Sequence, residues 1–440
     1  MEEKSMQSIG TGAVYPSYCT PVGIAAEGLS LAAQPEGVRR FVGVDLSKQS
    51  CNVCILDRYG HEVLHRTFSL HSSEKSRLYE VFQTGDLALM EASTGTFAIA
   101  REMNRLRGVV ACVVNPHLVK NTGKSKTDKE DSLFLARILL RTPLAELQLV
   151  SIPTDEEMDN RALVSHYRKI NEQHTQCVNR LHALFLDQGY PEAGRKHDLH
   201  TQDGRADAIE AYFGSRREHA TAKGIARDLC KELSVLEELE AKGDRKLAGI
   251  VKKNPRMSTI LGSIPGVGVK VISTFIAFVG DINRFSGPKQ LAAYCGLVPR
   301  IYQSGQKDTS GKISKEGQAA LREYLVESVF SMQITKFNFP LKKKYQKLRA
   351  RMGGRKAAVA VARQLVEMIY AMLKNETLFT VGDPADSKHL ASYHTRKKLV
   401  VSGGYDKIRK SCKDFETFQR NSNLLKENEL GVLKFVSLGG

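Results

Sequence analysis

Long apolar runs are missing from this 440-residue chain. A membrane-spanning helix needs about 20 consecutive apolar residues, and no segment approaches that, so no membrane partner is expected. The N-terminus shows no basic stretch followed by an apolar one. No secretory signal is therefore expected, and the cytoplasm is the expected place of action. Cysteine is thin and scattered, with eight residues in all. Only Cys51 and Cys54 form a C-x-x-C, inside an expected strand, and no second pair stands at zinc-finger spacing. Reduced structural thiols are the expectation. Acid is the scarcer charge: 48 Asp and Glu face 65 Lys and Arg, a net charge of +17. An excess of that size points to a polyanion partner, most commonly nucleic acid.

What is present is organised. At this length roughly two to four units are expected. Residues 1–39 are rich in Gly, Ala, Ser and Pro without a period, as a loose arm is. Residues 40–150 alternate strand and helix patterns. Strands are expected at 41–46, 51–57, 63–68, 87–91 and 109–114, and helices near 74–83, 96–107 and 128–141. That order predicts a mixed sheet with helices packed on it. Residues 151–254 read as helical. Leu163, Tyr167, Ile170, His174, Cys177, Leu181 and Leu184 step by four and three, and Ala222, Ala226, Leu229, Leu233 and Leu236 do the same, which predicts a coiled-coil arm. Residues 255–375 form a further, mainly helical unit, and 376–440 a tail with no assigned role.

Four acids stand out. FVGVDLSK places Asp45 in an otherwise apolar strand, and LALMEAST ends another such strand on Glu91. A carboxylate so placed must be paired, hydrogen-bonded or metal-bound. In KSKTDKEDSLFLARIL, Asp128 and Asp131 lie three apart at a helix start and can point the same way. Thr127 with Glu130 also forms a capping box there, which suits Asp128 to the helix dipole. Four carboxylates on adjacent strands and one helix are what two hard divalent ions require.

In the second half, SIPGVGVKVIS reads as the turn of a helix–hairpin–helix. Its Gly266 and Gly268, followed by Lys270, suit contact with a phosphate backbone. YQSGQKDTSGKISKEG reads as a polar loop, with Ser304 between Arg300 and Lys307. Between Lys336 and Lys356 there are nine Lys or Arg and no acid. Lys342, Lys343 and Lys344 are among them, with Phe337, Phe339 and Tyr345 interleaved as backbone contact plus stacking would need.

The order D…E…D-x-x-D on this strand and helix pattern resembles the ribonuclease H-like fold in its RuvC resolvase branch. FVGVDLSK, LMEAST and VNPHLVKNTGKSKTDKEDSLFLARIL, followed by IPGVGVKVIS…LAAYCGLVPRIYQSGQ, together resemble the DEDD transposases of bacterial insertion sequences, relatives of the Piv DNA invertases. The resemblance covers about residues 40–370. It implies that Asp45, Glu91, Asp128 and Asp131 hold Mg²⁺, two ions with Mn²⁺ as a substitute. It implies that Ser304 attacks DNA to form a phosphoserine link, although QSGQ departs from the more usual S-S-G-G and leaves Ser310 and Ser314 in play. It further implies a composite site in which Ser304 comes from a second protomer. The other implied features are DNA contacts that include Lys126, donor and target double-stranded DNA, a structured guide RNA, and a homo-oligomer, dimer or tetramer, joined through the coiled coil. The competing readings are a RuvC-like, Mg²⁺-dependent structure-specific endonuclease that uses water, and a non-catalytic nucleic-acid-binding derivative.

Overall fold

The computed structural model describes residues 37–116, 128–214, 216–304, 307–335 and 339–380, with backbone alone at 128–129 and 300–312. The chain divides into two compact units. One runs to Asp155 and takes in Asn283–Ser286; the other holds Glu156–Ile282 and the residues from Gly287 onward. Among the described residues no helix is long and apolar enough to cross a membrane.

The first unit contains β1 (Arg40–Leu46), β2 (Ser50–Asp57), β3 (Glu62–Ser69), α1 (Ser76–Tyr79), β4 (Asp86–Glu91), α2 (Thr96–Asn104), β5 (Val109–Val114), α3 (Asp128–Arg141) and β6 (Leu149–Val150). The strands form one mixed sheet in the order β3-β2-β1-β4-β5-β6. β1, β2 and β3 are antiparallel neighbours, β1, β4 and β5 run parallel, and β6 returns antiparallel. The five longer strands lie within a residue of their expected bounds, and α3 matches its own. α1 is shorter than the predicted 74–83, with Leu78 as its buried residue.

The sheet is covered on both faces, which explains why its central strands read as nearly continuous apolar runs. Val42, Val44, Val53, Ile55, Ala88 and Met90 pack with α2 residues Ile99, Ala100 and Met103 on one side. Phe41, Cys54, Leu56, Leu87, Leu89 and Val114 pack with α3 residues Leu135, Ala136 and Leu139 on the other. The thiols fit that interior. Burial, followed by the Asp45 charge, pushes Cys51 up to about 12. Burial and the Glu62 charge, opposed by Arg137, push Cys54 up to about 11.

At the N-terminal ends of β1 and β4 lies a structural ion pair. Arg40 Nε and Nη2 contact the two oxygens of Asp86 at 2.6 and 2.7 Å, and the Gln83 N–H donates to the same carboxylate at 2.8 Å. The Asp86 side chain is 0% exposed, so removing its charge leaves a guanidinium without its partner. Asp86→Asn is expected to lower unfolding free energy by about 3–5 kcal/mol, read from urea melts; a change below about 1 kcal/mol would show the pair to be dispensable.

The second unit begins with α4 (Asp155–Asp187), α5 (Ala193–Lys196), α6 (Gln202–Phe213) and α7 (Ala220–Lys253). The seven-residue seam is buried as expected at Tyr167, Ile170, Cys177 and Leu181. Its partners are not those of a simple two-helix arm. α6 adds Ala208, Ile209 and Phe213 to the same core, and Phe213 stacks on Phe185 at 4.9 Å between ring centroids. The seam is thus shared by three helices of one chain. His174 sits in it as a core polar group, with Nε2 3.7 Å from Glu237 Oε1; that carboxylate also binds Nη2 of the buried Arg205 at 2.7 Å.

Next come α8 (Pro255–Gly262), α9 (Val269–Phe278), α10 (Pro288–Tyr294), β7 (Pro299–Ser304), β8 (Lys307–Ile313), α11 (Ala319–Ile334), α12 (Pro340–Met352) and α13 (Gly354–Asn375). The expected polar loop at 302–317 is instead mostly an antiparallel hairpin, β7–β8, in continuous register from Ile301↔Ser310 to Ser304↔Lys307, with a register shift between Pro299 and Ile301. Ile301, Tyr302 and Ile313 supply the strand-forming residues that the polar composition masks. Of the tail, residues 381–440 lie outside the described residues.

Candidate active site

The catalytic candidates of the first unit converge through sheet register. β1 and β4 pair in parallel, from Arg40↔Asp86 to Val44↔Met90. Asp45 and Glu91 are the next residue on each strand, so they occupy matching positions at adjacent C-terminal ends. Neighbouring strands are about 4.8 Å apart, and residues at matching positions point to the same side. By period two, Asp45 shares the face of Phe41, and Glu91 that of Leu87 and Leu89. That is the α3 side of the sheet.

α3 runs antiparallel to β1, with its start over the C-terminal end. Leu140, near its end, lies beside Gly60 at the β2–β3 turn, where a β-carbon would meet Leu140 Cδ2 at 3.1 Å. Ser132, near its beginning, lies over Gly43. A β-carbon on Gly43 would sit 1.8 Å from the Ser132 carbonyl oxygen and 2.6 Å from the Ala136 nitrogen. Only glycine admits the helix backbone so close to the strand. Two residues further along β1 is Asp45, and one residue before Ser132 is Asp131. Asp128 opens the same helix one turn earlier. The structure therefore brings Asp45, Glu91 and the first turn of α3 to one edge of one face.

Asp45, Glu91 and Asp131 are half-buried. Oxygen donors at a partly wet sheet edge suit a hard cation that keeps some of its water, as Mg²⁺ does. Asp86, five residues earlier on β4, lies at the other end of the strand pair, where its fully buried side chain is held by Arg40. A neighbour that the sequence pattern does not single out is Asn52. It stands opposite Asp45 in the β1–β2 register, is buried, and accepts a 2.6 Å hydrogen bond from Thr67 Oγ1 at its own Oδ1. The only signal for it was an amide in the middle of SCNVCILD.

The second-unit candidates fare unevenly. Gly266 has φ +86°, and a β-carbon on it would meet the Ser328 carbonyl oxygen at 2.7 Å, so this glycine serves packing against α11. Gly268 precedes α9 and has open space where a side chain would be. Lys270, in the first turn of α9, lies 3.1 Å from the carbonyl oxygen of the Asn171 amide in its better-satisfied orientation. Ser304 closes β7 opposite Lys307 in the hairpin register, and Arg300 lies on the same strand. Lys126 lies outside the described residues.

The basic segment needs correcting. Phe339 and Tyr345 are buried rather than offered for stacking, and Lys342 is only 8% exposed, with its ammonium donating to the Thr335 carbonyl. Phe337 lies outside the described residues. Lys344 is half-buried, whereas Lys343, Lys347 and Arg351, four apart on α12, are exposed on one side of the helix.

Comparison with known proteins finds two matched regions. Residues 42–191 match a transposase domain of the DEDD IS110 type. Residues 258–346 match a domain described as "Transposase IS116/IS110/IS902 family". The chain is 27% identical to the transposase for insertion sequence element IS1111A of Coxiella burnetii, over 78% of this chain and 92% of that protein. It is 25% identical to a probable family 20 transposase of Pseudomonas aeruginosa, covering 78% and 98%. It is 23% identical to the pilin gene-inverting protein of Moraxella bovis, again covering 78% and 98%.

Proposed function

Because the chain belongs to the IS110/IS116 family of insertion-sequence transposases, we propose that it cuts and rejoins DNA with metal-binding carboxylates and a serine nucleophile. The observation that carries this reading is the matched position of Asp45 and Glu91 on adjacent strands, facing the helix start that bears Asp128 and Asp131. Those four residues would hold the ions, and Mg²⁺ bound there would polarise the scissile phosphate and lower the pKa of an attacking group. The chain's own groups do the rest. Asn52, braced by Thr67, helps to fix the end of β1, and Gly43 lets α3 bring Asp131 down onto the sheet. Ser304, from a second protomer, supplies the hydroxyl that displaces one DNA strand end and holds the phosphate as a phosphoserine. Arg300 and Lys307 favour the charge that builds on that phosphate.

The exposed cations of α12 meet the phosphates of donor and target DNA, and a structured RNA encoded by the element supplies sequence choice by base pairing. Contacts of this kind read no bases, so their signature is salt dependence. Replacing Lys343, Lys347 and Arg351 with Ala is expected to weaken duplex binding and to flatten the plot of log affinity against log salt by about 0.9 per lost phosphate contact. Fluorescence anisotropy across a salt series measures the slope; an unchanged slope removes α12 from the interface. The whole reading is tested by incubating the purified chain with Mg²⁺, element-end DNA and the adjoining transcript. Joined products with a transient protein–DNA adduct are expected.

A further inference from the structure

One row below Asp45, the α3-facing side of the sheet carries a second set of metal-binding atoms with different chemistry. Gly43 stands opposite Cys54, and Cys54 opposite His65. Glu62 joins them through a break in the β2–β3 ladder. Ile55 pairs with Leu64 but Leu56 pairs with Glu62, so Val63 is the extra residue of a β-bulge. In a regular strand, residues three apart face opposite sides; the bulge turns Glu62 to the side of His65. His65 Nδ1 then lies 3.2 Å from Glu62 Oε2, and Nε2 lies 3.1 Å from Ser132 Oγ. The Cys54 sulfur, an imidazole nitrogen and a Glu62 carboxylate oxygen all lie within 4.8 Å of one another.

We propose that Cys54, Glu62 and His65 bind one zinc ion, at a site separate from the oxygen-only carboxylate set. A thiolate, an imidazole and a carboxylate are donors that zinc accepts together, whereas Mg²⁺ takes oxygen alone. The spacing fits. Zinc bonds of about 2.0–2.1 Å at tetrahedral angles put the nitrogen and oxygen ligands roughly 3.3 Å apart, close to the observed 3.2 Å. The outer contact fits as well, since a metal-bound imidazole usually donates its other N–H to a fixed acceptor. Here Nε2–H donates to Ser132 Oγ, which turns the Nδ1 lone pair toward the ion. In the metal-free protein the roles reverse: Ser132 donates to Nε2, and Nδ1–H bonds Glu62. The Cys54 thiol proton leaves to solvent on binding. Glu62 is 49% exposed along its side chain, and the ion with a water as its fourth ligand enters from that side.

The ion would join the β2–β3 hairpin, through His65, to Ser132 in the first turn of α3. It would therefore act as a positioning staple one residue from Asp131, without touching DNA.

The test uses the full-length chain, purified reduced, dialysed against chelator and titrated with zinc alone or Co²⁺ alone. One zinc per chain is expected, together with a thiolate-to-Co²⁺ charge-transfer band in the near ultraviolet. Cys54→Ser should lose the band, while Cys51→Ser, on the opposite face of the same strand, should keep it. Glu62→Gln, at an exposed position that should not disturb folding, should weaken zinc binding by more than the roughly 10–100-fold typical of an outer-shell partner. Excess Mg²⁺ should leave the zinc in place. Absence of zinc binding at micromolar free metal, an unchanged band in Cys54→Ser, or displacement by Mg²⁺ would each overturn the proposal.

Discussion

Asp45→Asn is expected to abolish cleavage and strand transfer, by roughly 10³-fold or more, while leaving thermal and urea stability where they were. The loss follows from geometry. Asp45 is the β1 residue that lies both beside Glu91 in the parallel register and next along the strand face from the glycine on which α3 rests. No other side chain on β1 reaches that edge of the α3 face. Removing one of the charges that hold the divalent ions forfeits several kcal/mol of transition-state stabilisation, and each 1.36 kcal/mol is a factor of ten. Stability is spared because Asn keeps the volume and the site is half-buried. Asp86→Asn should behave in the opposite way, lowering the melting midpoint and reducing activity only as far as folding is lost, since Arg40 holds Asp86 at the far end of the same strand pair. Both variants, assayed together for DNA cleavage and by circular dichroism melts, separate the catalytic from the structural acid. An Asp45→Asn protein that cuts at the normal rate would end the metal-site reading.

The sheet was legible because its signals are local. Apolar residues with period two or in short runs mark β1 to β5 almost to the residue, and the T-x-x-E pattern in the sequence marks where α3 begins. Asp45 and Glu91 stood out for the same reason, each a charge near the end of an apolar strand. What was not legible depends on contacts distant in sequence. The meeting of Gly43 with Ser132 joins residues 89 apart, and nothing in VGVDL marks that glycine as the seat of a helix. The bulge that turns Glu62 toward His65 is one residue of register, which alternation does not specify when the strand is polar. The β7–β8 hairpin was hidden because its polar residues outweigh Ile301, Tyr302 and Ile313.

The basic helix was misjudged for a different reason: charge count outweighed period. Leu341, Tyr345, Leu348 and Met352 recur at helical spacing and mark the inner side of α12. Lys342, at the margin of that stripe, lays its stem inward and places its ammonium on Thr335. Reading the stripe first would have left Lys343, Lys347, Arg349 and Arg351 as the outward cations. The third helix of the arm is a similar case, since the heptad spacing of α4 and α7 is satisfied without it and gives no sign that α6 shares the core.

Ser304→Ala should separate a recombinase from a hydrolase. If the serine is the nucleophile, its oxygen forms the new bond to phosphorus as the bond to one strand end breaks. The strand end leaves as a free hydroxyl, and the serine proton passes to a nearby base. Removing that oxygen removes the covalent intermediate altogether, so the protein–DNA adduct seen on denaturing gels should vanish and strand transfer should fall by at least about 10³-fold. DNA binding should not change, because the substitution touches no charge. A water-using nuclease would make no adduct in either protein and would keep cutting. Ser310 and Ser314 provide the internal comparison. Ser310 pairs with Ile301 in the hairpin, and Ser314 donates its backbone N–H to the Val298 carbonyl just beyond β8, so neither occupies the turn-closing position that Ser304 shares with Lys307. Alanine at either site should leave the adduct in place. Loss of the adduct in Ser310→Ala or Ser314→Ala, with Ser304→Ala still active, would move the nucleophile along the hairpin and leave the carboxylate half of the site untouched.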